Sequence, residues 1–131
     1  MIDLDLLQDY LNGLGLSMEF YQYLFPDEAQ YAEGEADITD SIAFSLKSNN
    51  SNPVVSNSNL RCLIRSDHPQ KCKEVGADII SKLNMVTDVV LGNTQIVLFK
   101  PFSLNPEAIG MDANGNHIFQ VDITVVASPL N

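Results

Sequence analysis

The sequence predicts an α+β fold in which a mostly antiparallel sheet of about five strands is covered on one face by two helices. Two segments place apolar residues three and four positions apart, as amphipathic helices do, and several others are rich in β-branched and aromatic residues, as strands are. The chain has 131 residues, of which 45% are hydrophobic. This length supports one hydrophobic core, so we expect residues 1–131 to form a single domain.

The first helix is expected from Asp3 to about Asn12. Its apolar residues recur three and four positions apart, and the broad apolar face that results suits a helix lying on a sheet. Acidic residues in the first turn suit the positive end of the helix dipole, and Gly13 suits the C-terminal cap.

The second helix follows the turn at His68 and Pro69 and is expected to end near Asn84. Pro is favoured in the first turn of a helix, and Ser66, Asp67 or His68 can occupy the capping position before it. A stripe at three and four spacing indicates the buried side of this helix: Cys72, Val75, Gly76, Ile79, Ile80 and Leu83.

Five segments are expected as strands: residues 18–25, 38–47, 60–65, 94–102 and 117–127. An acidic loop is predicted at 26–37, and a polar loop is predicted at 48–59, where Ser and Asn dominate as they do in exposed loops. Residues 103–110 suit a loop or a short edge segment. The pair Asn114 and Gly115 predicts a hairpin turn before the last strand.

The charge is unevenly distributed along the chain. The net charge is −10, and the first 46 residues hold ten acidic residues and no Lys or Arg. Such a surface repels a phosphate backbone, so tight nucleic-acid binding is disfavoured, and a solvated acidic face is the simplest interpretation. The acidic start and the lack of a long apolar run predict no signal peptide and no membrane helix, so we expect a soluble protein of the cytoplasm or of an assembly built there.

The stretch IRSDHPQKCKEVGADII, at residues 64–80, most resembles a reactive site. A zinc site needs four N or S ligands, usually in close pairs, and the two Cys and two His of this chain lack that spacing. Cys72 lies near a helix start between two lysines, as a low-pKa thiol would, but its place on the apolar stripe favours a buried Cys. We expect no cofactor, no metal and no enzymatic activity. The sequence leaves open whether Cys62 and Cys72 lie near each other.

Several apolar residues stand in segments that suit loops. Those between positions 102 and 111 occupy a stretch broken by Pro and Gly, and they either tuck under the sheet or contact another subunit or partner. Two valines lie within the polar loop. The candidate interface residues are Phe102, Leu104, Ile109, Met111, Val54 and Val55.

Three stretches of the chain resemble the tail terminator proteins of long-tailed bacteriophages, also called tail completion or minor capsid proteins. They are RCLIRSDHPQKCKEVGADIISKL, a strand, turn and helix; VLFKPFSLNPEAIGMDANGNHIFQVDITVVA, a strand, a Pro-Phe loop and a closing strand; and, more weakly, the leading IDLDLLQDYL helix. The resemblance lies in the order of elements with a few recurring letters, and it carries no catalytic signature.

The resemblance implies a small α+β subunit that closes into a hexameric ring, caps the tail tube, stops its polymerisation and prepares the tail for head-tail joining. The implied partners are further copies of itself, the tail tube protein and the head-tail connector proteins. The implied location is the head-proximal end of the virion tail, after assembly in the host cytoplasm. DNA would only pass through the ring, and Glu33, Glu35 and Asp37 are candidates to line this passage with like charge.

Three alternatives remain open from the sequence. A head-side joining protein would have the same ring geometry, so the sequence does not separate it from a terminator. An acidic inhibitor that mimics DNA would fit the concentrated negative charge, and it should be monomeric. A small thiol-dependent enzyme would require a reactive Cys72.

Overall fold

The computed structural model describes residues 2–26, 39–50 and 55–129, which form two helices and a seven-stranded sheet. Neither helix in these ranges is long and apolar enough to cross a membrane. In chain order the elements are α1 (Leu4–Asn12), β1 (Phe20–Gln22), β2 (Ser41–Asn50), β3 (Ser56–Ser66), α2 (Pro69–Lys82), β4 (Val86–Leu91), β5 (Thr94–Pro101), β6 (Glu107–Met111) and β7 (His117–Pro129).

Strand β7 lies at the centre of the sheet. It pairs with β3 along one edge, and along the other edge with β6 near its start and with β5 toward its end. The strand order is β1-β2-β3-β7-β5-β4, with β6 beside β7. Alternate residues of β7 are fully buried, namely Val121, Ile123 and Val125, so one face of the sheet carries the hydrophobic core.

The predicted α+β class is confirmed, but the sheet is larger and more mixed than the prediction of about five antiparallel strands. The described residues form seven strands, and β1 and β2 run parallel to each other. The segment predicted as a strand at 18–25 shortens to β1, because Tyr23 takes a left-handed φ of 67°. The Tyr23 N–H still donates to the Phe44 carbonyl at 2.7 Å, which is the last bond of the ladder between β1 and β2.

Strand β4 is not among the predicted strands, although the sequence carries a signal for it. A valine-rich run precedes Gly92 and Asn93, which form the two-residue connection between the paired ends Leu91 and Thr94. Gly92 has a φ of 61°, which suits a tight hairpin turn because glycine adopts positive φ without a steric penalty. The hairpin signal therefore lies in the turn and not in the strand alternation.

The polar loop predicted at 48–59 is wrong in its bounds, because most of it is strand. β2 continues to Asn50 and β3 begins at Ser56, with Ser48 opposite Ser58. Residues 51–54 lie outside the described residues. Ser and Asn are poor strand formers, but β3 lies between β2 and β7, so its backbone groups are paired on both sides. Tertiary pairing here outweighs the local preference for a loop.

Helix α1 begins at Leu4, one residue after the predicted start, and ends at Asn12 as predicted. The side chain of Asp3 caps its N-terminus. Gln8 Nε2 donates to the carbonyl of Phe20 in β1 at 2.8 Å, while the Tyr10 ring stacks on Phe99 of β5 with centroids 5.8 Å apart. β1 and β5 lie near opposite ends of the strand order, so one short helix contacts both only because the sheet curls around the core.

The turn between β3 and α2 is fixed by a polar network. His68 is the N-cap residue of α2 but makes no side-chain capping bond, and Pro69 occupies the first turn as predicted. Instead Ser66 Oγ accepts the His68 N–H at 3.2 Å and donates to Asp40 at 2.7 Å. Lys71 Nζ lies 3.0 Å from the other Asp40 oxygen. Burial opposes ionisation of Asp40, but the bonds from Ser66 and Lys71 outweigh it and lower the pKa of this carboxyl.

Helix α2 packs against the sheet and against the segment that follows β5. Its predicted stripe is confirmed for Cys72, Val75, Gly76 and Ile79, which are buried, and its C-cap residue Leu83 is buried too. A Cβ atom added to the backbone of Gly76 would lie 2.5 Å from Cγ and 2.8 Å from Cβ of Pro106. Glycine is therefore needed here because the Pro106 ring lies directly on the helix backbone.

Replacing Gly76 by Ala should destabilise the protein. Helix propensity favours Ala by about 1 kcal/mol, but relieving the overlap with Pro106 should cost about 1–3 kcal/mol, because a proline ring has little freedom to move. We expect a lower free energy of unfolding in urea for Gly76→Ala. The double variant Gly76→Ala/Pro106→Ala should be more stable than the sum of the single effects predicts. Strict additivity would show that the two residues do not contact each other.

Candidate functional site

Four exposed apolar side chains lie together in sequence around β6, and we call them the apolar edge: Phe102, Leu104, Ile109 and Met111. Their exposed fractions are 77%, 89%, 49% and 60% in that order. The interpretation that they tuck under the sheet is therefore wrong. Four large apolar side chains exposed within ten residues of the chain make this segment a candidate interaction site.

The backbone that carries Phe102 and Leu104 is held in place by β7. The N–H groups of Phe102 and Ser103 both donate to the Asp122 carbonyl, at 2.9 and 3.1 Å. The Asp122 N–H in turn donates to Ser103 Oγ at 2.9 Å. Asp122 lies in the gap where β7 changes partner from β5 to β6, so these bonds satisfy backbone groups that no strand reaches.

The other end of this loop is fixed on the opposite side. Pro106 lies on the backbone of α2 at Gly76, as described above. The loop thus has one anchor on β7 and a second on α2, while Phe102 and Leu104 between them stay exposed. Because the loop is already ordered, little conformational entropy is lost when these side chains meet a partner.

Strand β6 is an edge strand that ends in a tight turn. All five of its residues are exposed, and it pairs with β7 through Ala108 and Phe119 among others. After it, the Asp112 carboxylate accepts hydrogen bonds from the backbone of Asn114 and Asn116, both at 2.9 Å. The bond from the Asn116 backbone is the main cause that lowers the pKa of Asp112. The hairpin turn predicted from Asn114 and Gly115 is confirmed, with Gly115 at a φ of 80°.

The remaining candidate interface residues lie at or beyond the limits of the described residues. Val55 is 39% exposed and directly precedes β3, whereas Val54 lies outside the described residues. The three candidates for an acidic passage, Glu33, Glu35 and Asp37, also lie outside them.

Arg65 contacts the described residues on either side of positions 27–38, which lie outside the described residues and hold nearly all of the acidic loop predicted at 26–37. Its guanidinium donates from Nε to the Thr39 carbonyl at 2.9 Å and from Nη2 to the Pro26 carbonyl at 3.4 Å. It also lies over the Phe25 ring, with Cζ 4.7 Å from the centroid. One side chain of β3 thus bonds to the backbone of both Pro26 and Thr39.

Tyr23 and Leu24 lie just after β1, although the sequence pattern assigns them to the strand at 18–25. Tyr23 is 57% exposed and Leu24 is 78% exposed. The pattern misses their exposure because an apolar run ending at Pro26 reads the same whether the strand is long or short. Ser103 and Pro106, which hold the loop, also carry no sequence signal, since their roles depend on β7 and α2.

Both cysteines are buried and free, and they are poor candidates for chemistry. Burial, and to a smaller extent the carboxylate of Asp122, raise the pKa of the Cys62 thiol to about 12. Burial and then Asp40 raise the pKa of the Cys72 thiol to about 11. The Cys72 sulfur lies 3.6 Å from the carbonyl oxygens of Ile64 and His117, between β3 and β7. The prediction that Cys72 belongs to the core is confirmed.

A thiol reagent should therefore react slowly with the folded protein. Neither cysteine is exposed, and with a pKa of about 11 or 12 each thiol is almost entirely protonated at neutral pH. We expect both cysteines to be labelled only after denaturation. The extent of labelling is measured as the absorbance of the chromophore that the reagent releases. Rapid labelling of one cysteine in native buffer would contradict this and would revive a thiol-dependent activity. The variant Cys72→Ser would identify which cysteine had reacted.

Comparison with known proteins gives one family. The family model described as bacteriophage tail terminator protein matches residues 8–129, which is nearly the whole chain, whereas no curated protein matches. The match spans β1 to β7 and the second half of α1, so it includes two of the three stretches that carry the resemblance in full and residues 8–11 of the leading helix. The predicted resemblance is confirmed. The chain belongs to the bacteriophage tail terminator family.

Proposed function

We propose that this protein is a structural component of the phage tail that closes into a hexameric ring on the tail tube, stops its polymerisation and prepares the tail for joining to the head. Family membership supports a tail terminator role in general and a place in the virion tail. The ring, its hexameric state and its position at the head-proximal end are part of the proposal. Its partners would be further copies of itself, the tail tube protein and the head-tail connector proteins.

The observation that carries the proposal is the apolar edge on its rigid loop. Phe102 and Leu104 are among the most exposed large apolar residues of the described chain, yet their backbone is anchored at Asp122 and at Gly76. A surface that is both apolar and preorganised stabilises an assembly more than it stabilises the isolated subunit. A ring subunit needs such a surface because each copy must contact a neighbour through a repeated interface.

The described chemistry fits a structural role. The two cysteines are buried with raised pKa values, and the carboxylates with lowered pKa values, Asp40 and Asp112, are engaged in turns of the fold. Each of these groups is explained by its part in folding. The side chains available for contact with other proteins are therefore the exposed apolar and charged ones.

The double variant Phe102→Ser/Leu104→Ser should fold normally but fail in assembly. Both side chains are exposed, so the free energy of unfolding should change by less than about 0.5 kcal/mol. Loss of two interface anchors should weaken self-association on the order of 100-fold. Light scattering coupled to size exclusion measures this directly. Met85→Asn is the matched control, because Met85 is 56% exposed at a φ of 57°, where Asn is well tolerated.

The same variant decides between two roles when a phage carries it. Tails of excess length would follow if the protein terminates the tube. Tails of normal length that lack heads would instead support a head-side joining protein. Normal infectious particles with Phe102→Ser/Leu104→Ser would contradict the proposed use of the apolar edge.

We also propose that Glu33, Glu35 and Asp37 line the passage for DNA. Their like charge would keep moving DNA from adhering to the ring. The variant Glu33→Gln/Glu35→Gln/Asp37→Asn neutralises all three. It should leave ring assembly intact and slow DNA delivery, which is measured as the rate of genome entry into cells. An unchanged rate of delivery would contradict this role.

A further inference from the structure

One face of the sheet carries neither helix. Residues that alternate with the buried ones on β2, β3, β7 and β5 point to this side, and the strand register places them in rows. One row runs from Lys47 through Asn59 and Thr124 to Lys100. The next row contains Arg61 opposite Asp122. We call the surface formed by Lys47, Arg61 and Lys100 the basic face.

The basic face is positively charged in a protein whose net charge is −10. Lys47 and Lys100 are exposed, and Arg61 has half of its side chain exposed. Asp122 is only 15% exposed and is already paired with Arg61 at 3.1 Å. Lys47 and Lys100 stand three strand spacings apart, or about 14 Å.

The basic face continues directly into the apolar edge. Phe102 follows Lys100 by two residues, and its N–H bonds to the carbonyl of Asp122, the partner of Arg61. The surface therefore combines exposed apolar residues with a flank of positive charge. Protein interfaces commonly have this arrangement, with an apolar centre and a polar rim.

A complementary surface lies on α1 and on the residues around β1, the edge strand beside β2. Residues 1–46 contain no Lys or Arg, so no base offsets the acids in this part of the chain. Asp5, Asp9 and Glu19 are exposed there, and Leu6, Tyr23 and Leu24 are exposed by 37%, 57% and 78%. We call these six residues the acidic end.

We propose that the basic face and apolar edge of one subunit dock onto the acidic end of the next copy, an inference that rests on the proposed ring. The two surfaces are different parts of one chain, have opposite charge and each include exposed apolar residues. Contact between two identical surfaces would bring like charges together. Contact between two different surfaces satisfies the charges and leaves one surface of each type free, as closure into a ring requires.

The test uses charge reversal on each side separately. Lys47→Glu/Lys100→Glu inverts the basic face without disturbing the pair of Arg61 and Asp122. Asp9→Lys/Glu19→Lys inverts the acidic end, and Asp9 in the last turn of α1 tolerates a lysine because a positive charge suits that end of the helix dipole. We expect each variant alone to self-associate at least tenfold more weakly than the wild type.

An equimolar mixture of the two variants should recover the assembly. In an alternating ring, each reversed basic face meets a reversed acidic end, and each native surface meets a native one. Sedimentation velocity at low salt measures the recovery, and the wild-type assembly should weaken as salt is raised. Lys73→Glu/Lys82→Glu, on the exposed side of α2, is the matched control with the same change in net charge, and it should assemble as the wild type does.

Three outcomes would overturn the inference. Assembly of Lys47→Glu/Lys100→Glu at wild-type strength would show that the basic face is not at the interface. A mixture that stays dissociated would show that the two surfaces do not meet each other. Normal assembly with lost binding to purified tail tubes would assign the basic face to the tube protein instead.

The inference fails separately from the proposed function. If the wild type does not associate in solution, the same variants are placed in a phage and tail length is measured. Overlong tails from each variant, with normal length restored by co-expression of both, support the docking. Normal tails from each variant alone overturn it, while the tails of the Phe102→Ser/Leu104→Ser phage still report on the terminator role.

Discussion

The pairing of β7 with three other strands is the constraint on which the rest of the structure depends. Its alternate residues, among them Val121 and Ile123, are buried in the core, while its two edges hold β3, β5 and β6. Because β5 and β6 share one edge, a gap opens between them at Asp122. The loop that fills this gap through Ser103 is the loop that displays the apolar edge.

The apolar edge is thus displayed by a loop that completes the hydrogen bonding of β7. The loop is attached to β7 on one side and rests on α2 at Gly76 on the other, so Phe102 and Leu104 have a fixed backbone beneath exposed side chains. Hydrophobic burial stabilises the subunit through the face of the sheet that the two helices cover. The apolar area left outside is then available to stabilise an assembly, together with the unequal distribution of charge.

Several parts of the fold follow from local patterns in the sequence. The stripe from Cys72 to Ile79 predicts the buried side of α2, and Asn114 with Gly115 predicts the last hairpin, because both signals come from neighbouring residues. The prediction of a polar loop at 48–59 is wrong because this segment is decided by distant residues and not by neighbouring ones. Ser and Asn favour loops when isolated, but pairing with β2 and β7 holds them in strands. β4 is not predicted because the signal for its hairpin is the turn at Gly92 and not an alternating pattern within the strand.

The sequence by itself determined the fold class, the two helices, the burial of Cys72, the concentration of acids before residue 47 and the family resemblance, since these depend on composition and short-range spacing. The tertiary structure alone decided which apolar residues stay exposed and where the charges lie relative to one another. Lys47 and Lys100 are distant in sequence, and only the register across β3 and β7 places them in one row. Exposure and long-range proximity are properties of strand pairing, which local patterns do not encode.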